Sequence, residues 1–219
     1  MSGVLSSLRQ EEQRALFAAA RRRRFAAGEV VFHAGDPADT AHLILRGRVA
    51  VRVVGPRGDE LTFAVLGPGE LVGEMALLGP APVPRSATAS AVGPAETLAI
   101  RVDQFEALRR MHPGIDDLLL QLFAERVRLL NARLFDALYA SAELRVLRSL
   151  LDLAALFGDD ADTAVVPLTQ EQIAALAGTS RAGVNRVLRE LQAAGTVALA
   201  RSRVWILDRS ELARRARRA

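Results

Sequence analysis

Between Phe25 and Arg101 the chain breaks into six short β-prone runs, at 30–33, 42–46, 49–54, 61–65, 86–91 and 97–101. The turn formers Gly35-Asp36-Pro37, Gly55-Pro56-Arg57-Gly58 and Gly67-Pro68-Gly69 punctuate them. Many short strands at this spacing predict an antiparallel sandwich or barrel. Helical texture flanks it. Residues 4–20 carry Val4, Leu5, Leu8, Leu16 and Phe17 among acidic residues, a second helix is expected at 103–111, and a long one runs from Pro113 to about Leu138. The class is therefore α+β.

Composition narrows what such a fold can do. With 219 residues, 50% of them hydrophobic and 25% charged, the chain has ample material for packed cores and is no disordered tail. There is no cysteine, which excludes disulfides, thiolate iron–sulfur clusters, Cys-type zinc sites and a cysteine nucleophile. No apolar run approaches the 18 or so residues that cross a bilayer, and MSGVLSSLRQEEQ has no apolar signal core, so a cytoplasmic protein without membrane contact is expected. All 29 basic residues are arginine. Residues 1–139 hold 17 of them against 16 carboxylates, whereas residues 164–219 hold 10 against 4. A basic C-terminal third on a nearly neutral body points to a polyanion partner at that end.

On the long helix, Leu120, Phe123, Val127, Leu130, Leu134 and Ala137 recur at heptad steps, with Glu125, Arg126, Arg128 and Arg133 outside the seam. Leu118, Leu119, Leu122 and Leu129 form a second apolar stripe. Two stripes suit a helix held between its own domain and a second copy, so a homodimer is expected. A hinge near 138–141, a helix at 143–156 and a polar loop at 158–163 follow.

The last part reads as helix, turn, helix and hairpin. Thr169-Gln170-Glu171-Gln172 has the capping-box pattern, Ile173, Ala174, Leu176 and Ala177 face inward, and Gly178 turns the chain. Ser180 caps a second helix whose buried positions Val184, Val187, Leu188 and Leu191 leave Arg181, Ala182, Asn185, Arg186 and Arg189 on the other face. That spacing suits a helix lying in a DNA major groove, where arginine reads guanine bidentately. Residues 196–200 and 204–207 should pair around 201–203 as a basic wing, placing Arg201 near phosphates. The four arginines at 21–24 have no such context and read as a solvated surface.

The most specific stretch is Gly73-Glu74-Met75-Ala76-Leu77-Leu78 followed by Pro84-Arg85-Ser86-Ala87-Thr88-Ala89. A glycine admits close backbone approach, Arg85 can hold a phosphate bidentately, Ser86 can donate to it, and Glu74 can accept from a ribose hydroxyl. Arg85 paired to a local carboxylate is the structural alternative. Together with the C-terminal motif, these residues resemble the cyclic AMP receptor protein family of bacterial transcription regulators, from about Leu5 to Leu207. The resemblance implies a β-roll sensor domain at 1–112, jelly-roll-like and nucleotide-binding. It also implies a dimerisation helix and hinge at 113–140 and a winged helix-turn-helix at 141–219. Gly73, Glu74, Met75, Arg85, Ser86 and, across the dimer, Asn131 would take the effector, cyclic AMP. Gln170, Ser180, Arg181, Ala182, Asn185, Arg186 and Arg201 would face double-stranded DNA, and RNA polymerase is a further implied partner.

Three departures from the family pattern stand out. The stretch from Glu74 to Arg85 is one residue longer and holds Pro80, Pro82 and Pro84. Leu130-Asn131 stand where the family has a Thr-Ser pair facing adenine. Ala182 replaces a base-reading glutamate, which implies an operator related to the TGTGA-type half-site but relaxed at one position. A regulator of the same kind acting without ligand, or with another effector, remains the alternative. Haem is disfavoured, since His33, His42 and His112 each stand at a strand or helix end. An enzyme is not expected, because no metal-ligand cluster, phosphate-binding loop or nucleophile elbow is present.

Overall fold

The computed structural model describes residues 8–55, 58, 60–78, 84–158 and 162–218. The chain forms two compact units, 1–129 and 130–219, with the dividing point inside the long helix. The helix start expected at Val4 and Leu5, the Pro56-Arg57 tip of one turn, and Pro80 and Pro82 lie outside the described residues.

The first unit opens with α1 (Gln10–Ala19). Among the described residues eight strands follow, namely β1 (Arg21–Phe25), β2 (Val30–Phe32), β3 (Thr40–Arg46), β4 (Val49–Val54), β5 (Glu60–Leu66), β6 (Leu71–Val72), β7 (Thr88–Ala91) and β8 (Ala95–Arg101). They pair antiparallel in two sheets, β1-β8-β3-β6 and β2-β7-β4-β5. The sandwich expected from the turn spacing is this pair of sheets. β5 buries Thr62, Ala64 and Leu66 at every second residue, as a half-covered strand must. β3 sits inside its sheet and buries Ala41, His42, Leu43 and Ile44 without alternation. His42 is thus buried in mid-strand, not at a strand end.

Two further helices close the unit. α2 (Val102–Met111) buries Phe105 and Leu108. α3 (Gly114–Tyr139) follows, packing Ile115, Leu118 and Leu119 into the core with Leu43, Leu98 and Phe105, and it buries Leu122 as well. Its start lies against Glu12 of α1, whose carboxylate accepts from the Arg9 amide at 2.9 Å and Arg9 Nη2 at 2.8 Å. A side chain at Gly114 would meet that carboxylate at 2.5 Å. The heptad positions Leu120, Val127, Leu130 and Leu134 are exposed in the single chain, from 44% to 69%. Leu129, expected in the inward stripe, is exposed as well.

The second unit holds the end of α3, α4 (Ala142–Phe157), β9 (Ala164–Val166), α5 (Gln170–Leu176), α6 (Arg181–Ala193), β10 (Val197–Ala200), β11 (Arg203–Ile206) and α7 (Arg209–Ala216). Ser141 caps α4 by accepting from the Leu144 amide at 3.0 Å. α4 buries Val146, Leu147, Leu150 and Leu153, while α6 buries Val184, Val187, Leu188 and Leu191. The sheet runs β10-β11-β9.

Four elements escape the sequence reading, each for a physical reason. β1 is the arginine run. It pairs with β8 through its backbone while all four arginines stay exposed, the usual protection of a sheet edge. β6 and β9 have only two and three residues, too short to show a period. α7 looks like a charged tail, yet Asp208 caps it by accepting from the Glu211 amide at 2.7 Å, and Leu212 anchors it fully buried.

Candidate functional site

In the first unit the cassette becomes a set of buried polar contacts around one guanidinium. Gly73 adopts φ +76°, and the chain then makes a single 3-10 turn at Glu74–Leu77. A Cβ at Gly73 would come within 2.6 Å of Arg85 Nη1 and 3.1 Å of the Phe32 ring, so only glycine fits. Arg85 is 6% exposed. It donates from Nη2 to Thr40 Oγ1 at 2.9 Å and from Nη1 to the Gly73 carbonyl at 3.3 Å. Its Cζ lies 4.1 Å over the Phe32 ring, and Asp39 is 3.9 Å away. The nearest groups are therefore a hydroxyl and a carbonyl, and the carboxylate is more distant. Arg85 Nε is buried and meets no acceptor among the described residues. Burial lowers the Arg85 pKa, with Asp39 and Asp36 opposing.

Glu74 is also buried, and its Oε1 accepts from Arg126 Nη2 of α3 at 3.0 Å. The heptad pattern places Arg126 outside the seam and gives it no role. Its position one turn beyond Leu122, at the edge of the inward stripe, is the signal that could have found it. Met75 and Ser86 are exposed beside the cassette. Behind Phe32, His42 bonds Thr97 through Nδ1 at 3.1 Å, with the Phe25 and Phe32 rings each 6.2 Å from its own. Burial, aided by Arg85 and Arg23, pushes the His42 pKa down to about 4, so this histidine is neutral.

In the second unit Thr169 and Gln172 cap α5 reciprocally, at 3.2 and 2.8 Å. Gly178 takes φ +59° in the turn, and Ser180 Oγ accepts from the Gly183 amide at 3.1 Å to start α6. Arg181, Ala182, Asn185, Arg186 and Arg189 are all exposed on one face of α6. A cavity of about 380 Å³ lies between the starts of α5 and α6 and the hairpin, lined by Thr169, Gln170, Arg181, Ser202 and Arg203 among others. The hairpin is tighter than expected. Ala200 pairs with Arg203, so the turn is Arg201-Ser202, with Ser202 at φ +57°, and Thr196 stays outside the strand. Leu176, expected inward, is half-buried.

The two units match two family models. Residues 22–112 match the model described as Cyclic nucleotide-binding domain, and residues 144–215 the model described as Crp-like helix-turn-helix domain. A CRP-like cAMP-activated global transcriptional regulator of Mycobacterium tuberculosis is 36% identical over 199 residues, covering 88% of this chain and 87% of the relative. The chain belongs to the cyclic AMP receptor protein family. A cyclic AMP receptor protein of Thermus thermophilus is 37% identical over 182 residues, 82% of this chain and 80% of its own length. Among solved structures, a catabolite activator protein from Thermus thermophilus aligns over 97% of both chains at 34% identity and a TM-score of 0.56. A CRP-family regulator from the same organism aligns over 89% of this chain and 96% of its own at 29% identity and a TM-score of 0.72.

This member of the family is a DNA-binding transcription regulator with a cyclic-nucleotide-binding domain. The fold sets buried Arg85 on the Gly73 carbonyl and buried Glu74, the next residue, on Arg126, while Met75 and Ser86 are exposed. Gln170 and Arg181 share the cavity beside the hairpin, and Arg201 is exposed at the hairpin tip. Asn131 is exposed on α3, in the second unit. Among the described residues no group of three or more metal-binding side chains forms, and no helix is long and apolar enough to cross a membrane.

Proposed function

We propose that this regulator binds cyclic AMP in the cassette and, as a homodimer, a palindromic operator through α6. The observation that carries this reading is Arg85. A guanidinium held buried, oriented by Thr40, Gly73 and Phe32, and keeping an unmatched Nε donor is poised for an anion that brings charge and acceptors together. Glu74, steadied by Arg126, would accept from a ribose hydroxyl, the Gly73 and Met75 amides and Ser86 would meet the phosphate, and Asn131 of a second copy would reach the base. The exposed seam of α3 supports the dimer, since soluble helices seldom leave a leucine stripe in water.

Arg181 and Arg186 would read guanines in the major groove. Ala182 and Asn185 would lie between them, and Gln170, Ser180 and Arg201 would contact the backbone. The sensor is assigned to 1–112, the dimerisation helix and hinge to 113–140, and the operator-binding part to 141–219. The protein is a cytoplasmic regulator without enzymatic activity, it engages RNA polymerase, and it needs no covalent cofactor.

A second reading draws on Glu74 already being paired with Arg126 and Arg85 with Thr40. These contacts would let the cassette stand unliganded, as in a regulator acting without effector. Calorimetric titration with cyclic AMP, cyclic GMP and cyclic di-GMP separates the two. Binding of cyclic AMP by the parent and not by Arg85→Leu supports the first. No heat with any nucleotide supports the second.

A further inference from the structure

One side chain ties the end of the long helix to the turn of the helix-turn-helix. Arg145, half-buried in the first turn of α4, donates from Nη1 to the Ala140 carbonyl at 2.8 Å. Its other edge donates from Nε to the Ala177 carbonyl and from Nη2 to the Gly178 carbonyl, both at 3.0 Å. Ala140 follows the last residue of α3. Ala177 caps α5, and Gly178 is the left-handed residue from which Thr179 and Ser180 lead into Arg181. All these residues lie in the second unit.

The chemistry suits the place. The final carbonyls of a helix lack intrahelical partners and carry the negative end of its dipole, so a cation between two such ends gains from both. A guanidinium presents five N–H groups in a rigid plane and can hold three carbonyls on two sides at once. An ammonium is a single point of charge on a flexible stem. A second tie crosses the same joint, with Arg148 of α4 donating to Asp136 of α3. Both ends of α4's first half are thus fastened, one to α3 and one to the segment that starts the recognition helix.

We propose that Arg145 is the positioning residue that makes the start of α6 follow the C-terminal end of α3, so that a change arriving along α3 alters operator binding. This rests on the effector-gated reading above. Without Arg145 the joint and the turn would each keep their local structure but lose their common anchor, and coupling would fall while folding persists.

The test measures operator affinity of the full chain with and without saturating cyclic AMP, for the parent, Arg145→Lys and Arg145→Ala. Amide exchange is followed in each protein. The ratio of the two affinities is the coupling between sites. Arg145→Ala should bring that ratio about tenfold closer to one, within the usual range of such couplings, with cyclic AMP binding to DNA-free protein retained. Arg145→Lys should do the same to a smaller degree and guards against a variant that folds poorly. An unchanged ratio, or equal loss of operator affinity with and without nucleotide, overturns the proposal and leaves Arg145 a local support.

If the parent itself has a ratio of one, effector gating fails, and the tie is judged by exchange alone. The Ala140 amide, bonded to the Asp136 carbonyl, and the Thr179 amide, bonded to the Ala174 carbonyl, should then both exchange faster in Arg145→Ala. Acceleration at one of them, or at neither, refutes the tie.

Discussion

The cassette around Arg85 and the exposed face of α6 both rely on arginine, and they use it in opposite ways. Arg85 is 6% exposed, sandwiched on Phe32, and committed to Thr40 and Gly73. Arg181 and Arg186 are exposed on a helix whose other face is fully packed. A buried guanidinium suits a small anion, because low local dielectric strengthens its pairing and the fold has already met the cost of desolvating it. Exposed guanidiniums suit DNA, whose dense row of phosphates is met at the surface with release of condensed counterions. The same side chain serves a pocket or a surface according to what lies behind it.

The largest expected effect tests the element the two regions share. Leu134→Glu would set two carboxylates in the apolar seam of a dimer, at a cost of several kcal/mol per buried ion, and should give a monomer in sedimentation at micromolar concentration. If the variant stays dimeric, α3 is not the interface. Next, Arg85→Leu should cost about 3–5 kcal/mol of cyclic AMP affinity, as expected when a buried ion loses its partner, with the thermal transition of the unliganded protein nearly unchanged. Equal affinity in parent and variant would remove the contrast between pocket and surface.

His42 sharpens the contrast through pH. Its folded pKa of about 4 lies below the ordinary 6.5, so between those values the unfolded chain binds the extra proton. Stability contributed by the neutral imidazole is present above pH 6.5 and is lost as pH falls toward 4, by roughly 3 kcal/mol in all. Urea midpoints at pH 6.5 and 4.5 should differ less for His42→Gln than for the parent, and an equal difference would mean that His42 is not the group responsible.

On the exposed side the effects are smaller. Arg186→Ala should cost ~1–3 kcal/mol and relax one base position, whereas Ala182→Glu should restore preference at one base pair by offering an acceptor to cytosine N4. A selected half-site identical in parent and Ala182→Glu would show that α6 does not lie in the groove this way. Smallest of all, Arg201→Ala should weaken every sequence alike and lower the salt slope by about one. Sequence-dependent loss would instead make the hairpin tip a reader of bases.

Much of the second unit is legible in the sequence. Caps at Thr169 and Ser180, the turn at Gly178 and the two faces of α6 all follow from contacts three or four residues apart, which a linear pattern records. The hairpin register is not legible, since whether Arg203 belongs to the turn or pairs with Ala200 is decided by cross-strand bonds that leave no local period. In the first unit the strands from β2 to β8 are legible except the two-residue β6, and β1 is hidden by its arginines.

By itself, the sequence determined the family and the order of sheet, long helix and helix-turn-helix, and it singled out the cassette residues as candidates. The tertiary structure alone decided what those residues touch: Thr40 on Arg85, Arg126 on Glu74, Arg145 between Ala140 and Gly178. The physical reason is separation along the chain. Thr40 and Arg85 are 45 residues apart, and Glu74 and Arg126 are 52 apart, so no local period joins them. Their polar atoms meet because burial leaves each one in need of a partner, and only the packed fold determines which partner is within reach.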